Sequence, residues 1–187
     1  MKEFFGKIWR VGRWVFLVVF VLYVGLVGYR IFALGEEEKT AAAVAKIHVT
    51  RLTMADVAGE NLPPEPNPAQ NDSTLAGIDV NGNGIRDDVE LAIFEKYKGR
   101  SFIKERAAAL QYAKELQMEF TEVFNSETLV AVIQEESRGY ACVQKGEDTI
   151  ENLVLNTDQR KQYVEELAQK YMKSYALPNT EACDLTF

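Results

Sequence analysis

The sequence predicts a mainly α protein with a single N-terminal transmembrane helix followed by an exported small helical domain. Three observations carry that reading. An apolar run without acidic residues occupies residues 14–34. Apolar side chains recur at three- and four-residue spacing through most of the chain after residue 87. Between these regions stands one short segment, residues 79–90, in which acidic residues and asparagines alternate with glycines.

Residues 1–13 form a basic N-terminus, with Lys2, Lys7, Arg10 and Arg13 preceding the apolar run. From Trp14 to Tyr29 every residue is apolar, aromatic or glycine, and the run continues past Arg30 to Leu34. At about 1.5 Å of rise per residue, residues 14–34 span a hydrocarbon core of roughly 30 Å. Trp9, Trp14, Tyr23 and Tyr29 supply aromatics for the two interfaces, and Glu36, Glu37 and Glu38 follow the run. Basic residues before the span and acidic ones after it place the N-terminus in the cytoplasm and the C-terminal domain in the periplasm or outside the cell. The expected state is an uncleaved signal anchor in a bacterial cell membrane. Cleavage near Ala33-Leu34-Gly35 is the rival, but the apolar stretch exceeds the ~7–15 residues of a secretory h-region.

Residues 35–59 read as a juxtamembrane stalk, acidic and then alanine-rich. Alternation at Ile47 and Val49 suits a short extended piece, whereas the spacing of Leu52, Met54 and Val57 suits a helical turn, and both stay open. His48, the only histidine, has no cysteine or carboxylate pattern around it and reads as a packing or surface residue. Residues 60–78 hold Pro63, Pro64, Pro66 and Pro68, four of the five prolines. Proline fixes φ and lacks an N–H, so an irregular or polyproline-like strap is expected.

Residues 79–90 carry the most specific chemistry. Calcium takes six to eight oxygen ligands, and a short loop supplies them from alternate positions. Asp79, Asn81 and Asn83 occupy the first, third and fifth positions, and Gly84 sits at the sixth, where the chain must turn sharply. Ile85 offers its backbone carbonyl, Asp87 is ninth, and Glu90, twelfth, is long enough to chelate through both oxygens. The segment resembles the calcium loops of EF-hands, and more closely those of dockerin and thrombospondin type 3 repeats. The likeness covers only residues 79–90. It departs at the eighth position, where Arg86 replaces the apolar residue that pairs with a sister loop, and the chain has no second loop of this type. The resemblance implies a solitary site for Ca2+ held by Asp79, Asn81, Asn83, Ile85, Asp87 and Glu90. Three carboxylates and two neutral amides place its dissociation constant at roughly 10⁻⁵ to 10⁻³ M.

The helical domain is expected over residues 87–187. Val89, Ile93, Phe94 and Tyr97 give a first helix an apolar face before Gly99. Ser101 is placed as the N-cap of a second, with Ile103, Ala107, Leu110, Ala113, Phe120 and Val123 near one face. Asn125 and Ser126 start a third, bearing Leu129, Val130, Ile133, Tyr140 and Cys142. Thr157 opens a fourth, with Tyr163, Val164, Leu167, Ala168, Tyr171 and Tyr175, which Pro178 stops. Cys142 and Cys183 both lie in the exported part, where an oxidising compartment would pair them.

Residues 31–187 hold 16 basic and 27 acidic residues, a formal charge of −11, which argues against nucleic acid as a partner. The membrane, through residues 14–34, is the one partner the sequence names, and a protein partner is left unidentified. For catalysis one segment stands out. Leu129 to Tyr140 resembles the helix end of lysozyme-like lytic transglycosylases, in which a Glu-Ser pair follows an apolar helix. That likeness implies Glu136 as general acid toward peptidoglycan. The downstream Gly-Leu-Met-Gln type of motif is missing, and a structural or interaction role is the expected function.

Overall fold

The computed structural model describes residues 2–143, 146–172 and 183, and the chain divides into two compact units, residues 1–42 and 43–187. No strand occurs among the described residues, so the minor strand left open upstream is absent there.

The first helix, α1, runs Lys2–Val49. Nothing after Gly35 breaks it, because Glu36–Ala45 holds strong helix formers with neither glycine nor proline. Within the first unit the side chains from Trp14 to Phe32 stand exposed, Phe16 and Phe20 stacking with centroids 6.3 Å apart. This helix is long and apolar enough to cross a membrane.

The second unit begins earlier than the sequence suggested. Residues 43–59, expected within a stalk, contribute Ile47, Leu52 and Val57 to buried clusters. The ambiguous stretch is helical to Val49, extended through Leu52, and helical again in α2, Met54–Ala58. A capping box fixes the start of α2: Asp56 N–H donates to Thr53 Oγ1, and Thr53 N–H donates to Asp56 Oδ2. The proline strap is irregular through Asn67, then forms a single turn, α3 (Pro68–Asn71), with Asn67 as cap.

The remaining helices are α4 (Asp87–Lys96), α5 (Ile103–Thr121), α6 (Ser126–Cys142), α7 (Glu147–Val154) and α8 (Asp158–Tyr171). Asn125 and Thr157 cap α6 and α8 as their sequence positions implied. Ser101 caps nothing; it lies in a 3-10 turn, Arg100–Phe102, that leads into α5. α7 had no counterpart in the sequence reading. Pro178 and Tyr175 lie outside the described residues, and α8 already ends at Tyr171.

α5 is the centre of this unit. From Arg106 to Glu119 every residue is buried, rather than one apolar face alone. α2, α4, α6 and α7 all pack against it. Leu110, Ala113 and Leu116 meet Val57, Ile85, Val89, Ile93, Ile150 and Val154 in the main core. A smaller cluster joins Ile47, Met118, Ala131 and Val132. Some polar groups of α5 find partners in the interior: Gln111 Nε2 donates to Glu115 Oε1 at 2.8 Å, and Gln117 Nε2 to the Ala76 carbonyl at 2.7 Å, while Gln117 Oε1 is buried with no partner.

Three buried arginines tie irregular backbone to helices. Arg160 donates to the carbonyls of Asn71, Thr74 and Leu75 and to Asp72 Oδ1, holding residues 71–75 against α8. Arg106 donates to the Val57 and Tyr97 carbonyls. Arg86 donates to the carbonyls of Leu153 and Val154 at the end of α7. Cys142, the last residue of α6, is disulfide-bonded to Cys183.

Candidate metal centre

The segment 79–90 is bounded by anchors on both sides. Ile85, 1% exposed, plugs the main core, and the N–H of Asp87 donates to the Ile78 carbonyl at 2.8 Å, closing the loop at its base. Gly82 and Gly84 take positive φ of 69° and 86°, backbone that a side-chain-bearing residue adopts at a cost.

Inside the loop the expected ligands turn inward. Asp79 Oδ1 accepts from the N–H groups of Gly82 and Asn83, and its Oδ2 from Gly84 at 2.9 Å. Asn81 and Asn83 each accept a backbone N–H two residues on. Their amide nitrogens converge on one carboxylate: Asn81 Nδ2 donates to Glu90 Oε2 at 3.0 Å and Asn83 Nδ2 to Glu90 Oε1 at 2.9 Å. The third, fifth and twelfth positions are therefore gathered, and Asp79 is wrapped by the turn between them. Asp87 is fully buried; its Oδ1 accepts from Val80 N–H at 3.0 Å, while its Oδ2 is buried with no hydrogen-bond partner.

These acids sit where a negative charge lacks compensation. Burial pushes Glu90 up to about 7 against the two amide hydrogen bonds, with Asp56 and Asp87 adding repulsion. Burial also raises Asp87 against its bond from Val80, and Asp79 and Asp88 push it further. An orphaned buried carboxylate oxygen is rare, and a hard divalent cation is the partner whose chemistry suits this donor set. Among the described residues no three acidic, histidine or cysteine side chains are grouped at metal-holding distance. Here the amides of Asn81 and Asn83, bonded to Glu90 through nitrogen, are the ligands that would have to present oxygen to an ion.

Arg86 explains the departure at the eighth position. Its side chain is fully buried, pairs with Asp88 through Nε and Nη2, and reaches the end of α7. The loop thus docks on a helix where an EF-hand loop docks on a sister loop. Gly77 makes room for it, since a β-carbon there would stand 2.2 Å from Arg86 Cδ.

The surroundings bring in residues the sequence reading passed over. The Asn61 carbonyl accepts from Asn81 Nδ2 at 2.9 Å. Lys114 of α5 lies over Gly84 and feels the charges of Asp56 and Asp79. Asn61, Asp56 and Lys114 are separated from the loop by many residues, so no local spacing could have flagged them.

Glu136 occupies a different place, among the acids of α5, α6 and α7. Its Oε1 is buried without a hydrogen-bond partner, and its carboxyl is held well above the usual range by burial, with Glu119, Glu115 and Glu151 adding repulsion. Ser137 Oγ donates to the Ile133 carbonyl within its own helix. The adjacent Glu135 is an ion-pair hub, 1% exposed, contacted by His48 Nδ1 at 2.6 Å, Arg138 Nη1 at 2.7 Å and Arg51 Nη1 at 3.1 Å. His48 is therefore a packing partner of a buried carboxylate.

No family model, curated protein or solved structure matches this chain.

Proposed function

We propose that this protein is a membrane-anchored, extracytoplasmic calcium-binding protein with a structural or interaction role. The observation that carries the reading is the gathering of Asn81, Asn83 and Glu90 around a turn built on Asp79, beside the partnerless Oδ2 of Asp87. Calcium held there by Asp79, Asn81, Asn83, Asp87, Glu90 and the Ile85 carbonyl would neutralise buried carboxylates and join the loop to α4. It would act as a staple that stays filled wherever external calcium is millimolar. Residues 14–34 anchor the chain, with its helical domain on the outer side of the membrane.

The catalytic alternative, Glu136 as general acid of a peptidoglycan-lytic enzyme, is favoured by one observation, its raised pKa. Against it, Glu136 Oε1 is buried and the Ser137 hydroxyl is bonded to the Ile133 carbonyl of its own helix. The raised pKa follows from the burial of several carboxylates together and needs no catalytic purpose.

Calorimetry on the full chain in detergent tests the calcium site. Ion binding favours the folded state by RT ln(1 + [L]/Kd), about 2.7 kcal/mol at a hundredfold excess over Kd. Calcium should therefore raise the melting temperature over that in chelator, and Glu90→Ala or Asp79→Ala should abolish the rise. Equal melting temperatures in both conditions would refute the site.

A further inference from the structure

Lys114 is only 8% exposed, yet among the described residues its ammonium makes no hydrogen bond and no ion pair. Its stem crosses the calcium loop at the sixth position. A β-carbon on Gly84 would stand 3.3 Å from Lys114 Cε and 3.7 Å from Nζ. Burial lowers the pKa of this ammonium, and the acids whose charges oppose that most are Asp56 and Asp79. Asp79 is the first ligand position of the loop, and Asp56 also acts on Glu90, the twelfth. The lysine is thus drawn to the loop by the acidic field that would hold an ion, without being locked into a salt bridge.

We propose that Lys114 is a tethered cation that shares the field of the loop with calcium and sets its affinity low. The inference rests on the calcium reading above and adds the residue that regulates it. With Lys114 absent, the acid at Asp79 is left to calcium alone. With it present, each bound calcium sits near a fixed positive charge. A unit charge within a Debye length of a divalent ion shifts its binding by roughly 5- to 30-fold at dielectric constants between those of a protein surface and water. The same lysine supports the calcium-free fold, because it partly offsets carboxylates that would otherwise repel.

Calcium titration of the full chain in detergent tests this, with Lys114→Met, Lys114→Gln and Lys114→Arg compared with the parent. Methionine keeps the stem over Gly84, glutamine keeps it polar, and arginine keeps the charge. The neutral variants should bind calcium roughly 5- to 30-fold more tightly while the arginine variant stays near the parent. Should methionine disturb folding, glutamine reports the same loss of charge, and circular dichroism in calcium verifies that each variant is folded. Parent-like or weaker binding by the neutral variants overturns the role of Lys114 and leaves the calcium site standing. Failure of the parent and every variant to bind calcium overturns the calcium reading itself, and this inference with it.

Discussion

Replacing Arg86 with methionine tests whether the loop is held by α7 in place of a sister loop. Methionine fills most of the apolar stem but provides no donors. The Leu153 and Val154 carbonyls, now bonded at 2.7 and 2.9 Å, would lose a charged donor each. Hydrogen bonds from charged groups contribute about 1.5–3 kcal/mol each, and a stranded buried acceptor retains most of that penalty. Asp88 counts for less: its side chain is 31% exposed and rehydrates, so its ion pair adds at most about 1 kcal/mol. Relief from burying a guanidinium offsets part of the loss. The net expectation is a loss of about 2–4 kcal/mol, or about 5–15 °C in melting temperature for a domain of this size. Calorimetry reads the loss, and hydrogen exchange should show faster opening at the end of α7 and in the loop together. Arg86→Lys should recover only part of it, since a point charge cannot bond two carbonyls and a carboxylate in one plane. A methionine variant melting within about 2 °C of the parent, or full rescue by lysine, would refute this account of the eighth position.

Two further predictions concern the helical unit. Burial holds Glu119 up to about 7 and raises Glu136 further, so their stabilising contribution is complete below an unfolded value near 4.5 and is lost as pH rises through the folded values. Glu90, also pushed up to about 7 by burial, adds to the same trend, so in chelator the melting temperature should fall between about pH 5 and about pH 8. Glu136→Gln should flatten that fall and raise stability at the alkaline end by about 1–3 kcal/mol; a pH-independent melt of the parent would contradict the cluster. The Cys142–Cys183 bond closes a separation of 41 residues, for which chain entropy gives a stabilisation of about 4 kcal/mol. Replacing both cysteines with serine should lower the melting temperature by about 10 °C, whereas an unchanged melt would show that the bridge constrains little.

Features whose physics is local could be read from the sequence. A membrane-length apolar helix depends on the composition of residues 14–34, and the starts of α6 and α8 depend on the side chains of Asn125 and Thr157 at the caps. Asn81, Asn83 and Glu90 lie close in sequence, and hydrogen bonds from both amides to the Glu90 carboxylate bring them together. The pairing of Cys142 with Cys183 could be inferred because a cysteine count of two leaves one intramolecular pairing.

Tertiary structure decided what depends on groups distant along the chain. The alternation of apolar and polar residues in α5 suggests a half-exposed helix, but four neighbouring helices cover it, and Gln111, Gln117 and Arg106 find partners at residues 52, 76 and 57. Residues 43–59 looked like a stalk because their few apolar side chains carry no clear period; Ile47, Leu52 and Val57 become core only through contacts far away in sequence. Arg86 departs from the calcium-loop pattern that residues 79–90 resemble, and its role shows only once α7 supplies the carbonyls it binds. Lys114 appears as a solvated charge until α5 passes beneath Gly84. Spacing determines which side chains share a turn, whereas the partner of a buried charge depends on how distant helices pack.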